Sequence, residues 1–160
     1  MNDEHFQCQI LRASRNRLLR IIEENDCGTL FEIPTGFNNN IIWQIGHCIT
    51  SQQRHMYMRS GLPMYISTAF MQAFKIGSSP AKWTINPDIN EVKHLLIQTV
   101  DHLESDLESK LFLTYEPFDL PIGFQVQNHL HALQAANYHE AEHSGKVLMY
   151  LKMLGNNNGF

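Results

Sequence analysis

The sequence predicts an all-α fold, a bundle of four long amphipathic helices, on three observations. Apolar residues recur at helical spacing in four long stretches, i, i+4 in the first and near-heptad in the third. No strand-period alternation bounded by turns occurs, and the stretches are joined by loops punctuated with Gly and Pro. Each helix then has one apolar stripe to bury, and an up-down bundle buries all four. The connection over 61–87 is longer and can instead serve as a crossover.

The first stretch runs from about Asn2 to Asn25, with Phe6, Ile10, Ser14, Leu18 and Ile22 in line and Leu11, Leu19 and Ile21 widening the stripe. It is expected to end at Asp26-Cys27-Gly28, where Gly can take the left-handed conformation that closes a helix. After Pro34 and Gly36, the Asn38-Asn39-Asn40 run offers N-caps for a second helix from about Asn39 to Arg59. Its stripe is Ile41, Ile45, Ile49 and Met56, and it stops at Ser60-Gly61 ahead of Pro63. From Pro63 to Pro87 only a short helix around Ser67 to Phe74 and a Gly77-Ser78-Ser79-Pro80 turn are expected. Asp88, with Glu91 three residues on, reads as a capping box opening a third helix through Val92, Leu95, Leu96, Val100, Leu103, Leu107 and Leu111, which fades by Thr114. Past Pro117, Pro121 and Gly123, a last helix is expected from about Gln125 to Leu154, stopping at Gly155-Asn156.

The 160 residues form one expected domain, 1–160, long enough to bury about 70% of its unfolded surface without disulfides or structural metal. Twelve basic against sixteen acidic side chains give a formal charge of −4. The densest basic run is Arg15, Arg17 and Arg20, so no basic surface suited to nucleic acid is expected. No apolar run approaches a membrane span, and Met1-Asn2-Asp3-Glu4-His5 is unlike a signal peptide. Cys8, Cys27 and Cys48 form neither a disulfide framework nor a zinc cluster; they read as reduced thiols in a cytoplasmic protein.

Nine histidines carry the chemistry. His139-Glu140-Ala141-Glu142-His143 puts two imidazoles about 40° apart and one turn along a helix, so both can reach one ion. On spacing alone they are either two ligands or two surface histidines. The string also matches the HExxH zinc-protease signature, but a protease needs a third ligand downstream, and the 17 residues after His143 contain no His, Asp or Glu. Helix two offers His47 instead. Gly46 and Gly145, costly inside long helices, suggest a close approach of helices two and four that would bring His47 to the pair. On a helical wheel His47 lies away from the Ile stripe and shares its side with Asn40, Trp43, Gln44, Ser51 and Arg54.

The same wheel turns Glu140 inward, where a carboxylate needs a partner. It can accept from the second nitrogen of a ligating imidazole, act as a general base, or bond a Tyr or Trp; the first is favoured because ligating histidines are commonly fixed this way. His5, His94, His102, His129 and His131 read as surface or satisfied polar positions, whereas His55, two turns after His47, can border the same pocket.

Trp43-Gln44-Ile45-Gly46-His47 with His139-Glu140-Ala141-Glu142-His143-Ser144-Gly145 resembles the DinB-like superfamily, and segment order and length agree over nearly the whole chain. The resemblance implies an up-down-down-up four-helix bundle, His47, His139 and His143 as divalent-metal ligands, and a homodimer. Characterised members are mainly transferases or isomerases using low-molecular-weight thiols, others are assigned as metal-dependent hydrolases, and many have no known activity. The expectation is therefore a metal-dependent enzyme activating a thiol or water for a small-molecule substrate, with Zn²⁺ or Ni²⁺ the leading ions and Fe²⁺ next. The alternative is a non-catalytic metal-binding or interaction bundle. Cys48 points about 100° from His47, so a reacting thiol would come from a cosubstrate.

Overall fold

The computed structural model describes residues 3–155; the expectations at Met1, Asn2 and Asn156 to Asn158 lie outside them. Among the described residues there are six α-helices: α1 (Asp3–Glu24), α2 (Cys27–Phe31), α3 (Ile41–Met56), α4 (Thr68–Phe74), α5 (Ile89–Glu108) and α6 (His129–Met153). A two-residue hairpin, β1 (Phe118–Asp119) with β2 (Gln125–Val126), precedes α6. No helix is long and apolar enough to cross a membrane.

The side chains that define the helix ends are mostly those the sequence offers. Asn40 caps α3, its Oδ1 accepting from the Trp43 N–H at 2.8 Å while its Nδ2 donates to the Phe31 carbonyl at 3.0 Å. Ser67, Asp88 and Asn128 cap α4, α5 and α6. Gly61 takes φ 69° after the 3-10 turn Met58–Ser60. Three expectations are corrected. Asp26-Cys27-Gly28 opens α2 rather than closing α1: Asp26 Oδ1 accepts from the Thr29 N–H at 3.0 Å, so the Asp acts as a cap before Gly28 can act as a stop. The last helix begins at His129, because Gln125 and Val126 pair with β1, a ladder too short to leave a period-2 signal.

The third correction concerns α1. Its buried residues are Cys8, Leu11, Arg15, Leu18, Ile21 and Ile22, while Phe6 and Ile10 are 50% and 41% exposed. Steps of four advance the wheel by about 40° each, so the Phe6-Ile10-Ser14 line drifts off the buried face; alternating steps of three and four through 8, 11, 15, 18 and 22 keep to it. That line carries Arg15, a member of the densest basic run and fully buried.

α1 packs against α5 and α6, and α3 packs against the same two helices. Two apolar clusters result. One gathers Leu18, Ile41, Ile45, Phe74, Leu96, Val147 and Leu151; the other gathers Leu11, Met56, Tyr57, Val100, Leu103 and Leu133. Arg15, Thr99 and Glu140 fall between the two sets on their respective helices. Arg15 Nε donates to Glu140 Oε2 at 2.6 Å, and its Nη1 lies 3.4 Å from both the Leu96 carbonyl and Thr99 Oγ1. Burial pushes the Glu140 carboxyl up, against the opposing pull of the guanidinium. Removing one member of such a pair strands the other as a buried charge. Glu140→Ala is therefore expected to lower unfolding free energy by about 3–5 kcal/mol in denaturant titrations, with the Arg15→Met/Glu140→Leu double substitution costing far less.

Candidate metal centre

The site forms where the middle of α3 faces the middle of α6. Of the sixteen residues of α3, fourteen are buried, including Gln44, His47, Ser51 and Gln52. The polar side of the wheel is thus covered, and His47 is 6% exposed rather than partly open. Trp43 supplies part of that cover, stacking on the His47 ring at 4.6 Å with 9° between planes. Its own N–H is satisfied by Ser78 Oγ at 2.8 Å.

His47, His139 and His143 are brought together, with one nitrogen from each lying within 4.8 Å of the others. The geometry fixes which nitrogens are free. His47 Nδ1–H donates to the Phe74 carbonyl at 2.7 Å, leaving Nε2 as the bare nitrogen; Ser51 Oγ lies 3.3 Å from it. His143 Nδ1–H donates to Gln44 Oε1, whose amide nitrogen in turn donates to Tyr150 Oη at 3.2 Å. His143 Nε2 then faces His139 Nε2 at 3.1 Å. Two nitrogens each about 2.1 Å from one ion stand roughly 3.0–3.4 Å apart in octahedral or tetrahedral geometry, so this spacing fits a shared cation. The donor set, three neutral imidazoles of which His47 and His143 have their outer N–H groups tied down, is one that could hold a divalent metal.

Burial keeps these rings neutral. It pulls His47 below the ordinary histidine range, His139 to about 3 and His143 to about 2, and repulsion among the rings and from Lys146 acts in the same direction. A neutral imidazole is the form that ligates.

Two sequence readings need revision. Glu140 bonds Arg15 and not an imidazole of the cluster; the acceptors that orient His47 and His143 are the Phe74 carbonyl and the Gln44 side chain. The glycines do not mark an approach of α3 to α6. A Cβ on Gly46 would run into the Phe74 ring of α4, whereas a Cβ on Gly145 would meet open space. Gly46 lets Phe74 lie on the α3 backbone, and the carbonyl of that same residue then reaches the ring of His47. Gln44 was visible in the sequence as a polar neighbour on the His47 side. The Phe74 carbonyl left no side-chain signal at all.

His55 stands outside the three-nitrogen cluster. Its ring packs 4.7 Å from Phe118, and burial with nearby Arg54 and Arg59 pulls it to about 4. His129 pairs with Glu4 at 3.0 Å, and His102 stacks on Tyr65 at 3.9 Å, as satisfied polar positions should. The three cysteines are free.

The depressed histidines set the acid limit of the metal-free fold. In the unfolded chain they take up protons near pH 6.5, whereas in the fold they stay neutral to well below that. Their contribution is intact above pH 6.5 and is lost as pH falls beneath it, by roughly 1.4 kcal/mol per pH unit for each such histidine. Thermal melts of metal-free protein between pH 7 and 5 should show this fall, and His143→Gln should flatten it. Gly46→Ala should cost about 1–3 kcal/mol by displacing Phe74 and should weaken metal retention together with stability, since one residue seats the ring and orients His47.

No curated protein matches the chain at a significant level. The family model described as the DinB superfamily matches residues 10–147, a span holding both the α3 and the α6 histidines. A helical fold with three converging imidazoles is in keeping with that match, and the chain belongs to the DinB superfamily.

Proposed function

We propose that the protein binds one divalent metal ion through His47, His139 and His143 and is a metal-dependent enzyme of thiol S-transferase or hydrolase type. The single observation that carries this reading is the convergence of three imidazole nitrogens, with the other ring nitrogen of His47 and of His143 hydrogen-bonded in place. Three protein ligands leave a further position for a substrate atom. Bound there, a divalent ion would hold a thiol as thiolate or a water as hydroxide at neutral pH. The chain's own residues do the positioning: the Phe74 carbonyl and Gln44 select the ring tautomers, Trp43 fixes the plane of His47, and the Ser51 hydroxyl lies beside its Nε2. Zn²⁺ or Ni²⁺ are the proposed ions, with Fe²⁺ next.

An up-down-down-up bundle is supported by the sense of the cross-links: Glu23 meets Lys93 and Arg12 meets Glu104, while Gln7 meets Asn137 and Gln44 meets Tyr150. A homodimer is supported by the family and by Phe6 and Ile10 lying outward on α1. A cytoplasmic setting is supported by three unpaired cysteines. One observation favours the second reading, a non-catalytic metal-binding bundle: the carboxylate beside the ligands, Glu140, is bound to Arg15 and is not placed as a base.

Plasma mass spectrometry on tag-free protein, after dialysis against mixed divalent ions, should find about one ion per chain, lost in His47→Ala. An ion retained by that variant would overturn the ligand set. With the ion confirmed, turnover of small thiols with electrophilic acceptors separates the enzyme from the non-catalytic bundle.

A further inference from the structure

Two pairs of side chains, each one helical turn apart, face each other across the seam of α3 and α6. On α3 the pair is His47 and Ser51; on α6 it is His139 and His143. The cross-links between these helices run in the antiparallel sense, since Gln44 meets His143 and Tyr150 while His47 meets His143 and His139. His47 therefore stands level with His143. Ser51, one turn further along α3, stands level with His139, one turn back along α6. The four positions are the corners of a quadrangle in which three corners hold imidazoles and the fourth holds a hydroxyl.

That hydroxyl is aimed into the cluster. Ser51 is 9% exposed, and its Oγ lies 3.3 Å from His47 Nε2. Because Nδ1 of the same ring donates to the Phe74 carbonyl, Nε2 carries the lone pair and the serine O–H is the donor. A hydroxyl inside a helix commonly turns back to the carbonyl four residues earlier, as Thr99 does to Leu95 at 2.7 Å. Ser51 makes no such bond among the described residues, and its proton goes to the nitrogen that would hold the metal. An ion taking that lone pair would leave the hydroxyl without its acceptor where little water reaches, so another acceptor must replace it. The one at hand is the atom bound in the remaining position of the ion. Serine is also short enough to leave its corner open, where a fourth imidazole would close the site.

We propose that the open coordination position lies at the Ser51 corner, and that Ser51 Oγ–H donates a hydrogen bond to the exogenous atom bound there. This rests on the metal-binding reading above and adds the place of the ligand and the residue that holds it. The class of ligand follows from the donor. An anionic oxygen, nitrogen or sulfur keeps a lone pair after coordination and can accept from Ser51, whereas an imidazole spends its only lone pair on the metal and cannot.

The test uses Co²⁺-loaded protein, whose visible bands report the ion and what is bound to it. Azide, which can accept, and imidazole, which cannot, are titrated separately into wild type and Ser51→Ala. The variant should hold Co²⁺ within about twofold of wild type and bind azide roughly tenfold more weakly, with imidazole changed by less than about twofold. Ser51→Cys should place a thiolate in the corner, giving a near-ultraviolet sulfur-to-cobalt band without any added thiol and shutting out azide. Equal azide binding by wild type and Ser51→Ala overturns the hydrogen bond, as does an equal loss of azide and imidazole. A Ser51→Cys protein that holds Co²⁺ without the sulfur band overturns the location. Loss of Co²⁺ from Ser51→Ala makes the serine a ligand and overturns the open corner. Absence of the Co²⁺ bands from wild type overturns the metal site itself, and this inference with it; the other outcomes overturn this inference alone.

Discussion

The arrangement of the site depends on a steric constraint at Gly46. Only a residue without a Cβ leaves room for the Phe74 ring against the α3 backbone, and Phe74 is at once the last residue of α4 and the acceptor for His47 Nδ1. A packing contact and a hydrogen bond are thereby made by one residue. The cost of about 1 kcal/mol for a glycine inside a helix is offset by burial of an aromatic ring that also touches Phe70 and Trp83. The connection between the second and third long helices is thus part of the centre: α4 supplies a carbonyl, and the turn after it supplies Ser78 to hold Trp43.

Around that contact, polarity is layered by depth. Innermost lies the Arg15–Glu140 pair between two apolar clusters; next come imidazoles kept neutral by burial; outside them lie Arg54 and Lys146. Each layer follows from how much water its groups retain. A buried charge persists only beside its opposite, a buried imidazole sheds its proton, and a cation nearer solvent can stay charged and unpaired.

What the sequence disclosed follows from what kind of pattern each feature leaves. The four long helices leave a period, and His139 with His143 leave a spacing, so both were legible. His47 was reached because no further ligand type follows His143, which sent the search upstream, and because the stretch Trp43 to His47 carries the family resemblance in company with the α6 motif. The burial of Arg15 was not legible because an apolar stripe judged in steps of four drifts around the helix, and because a buried arginine looks like a surface one until its partner is located 125 residues away. The Phe74 carbonyl and the hairpin at Phe118–Asp119 are backbone events with no residue-type signature. Gly46 was noticed for the right reason, close approach, but the approaching element was α4 rather than α6.

The Arg15–Glu140 bond also works as a rotational stop. Glu140 sits one residue after His139 and three before His143, about 60–100° around α6 from both. Were α6 to roll about its axis, the carboxylate would leave Arg15 as the imidazoles moved away from His47. A contact on the α1 side of α6 therefore sets the angular position of His139 and His143 on the α3 side, and their aim is held from behind.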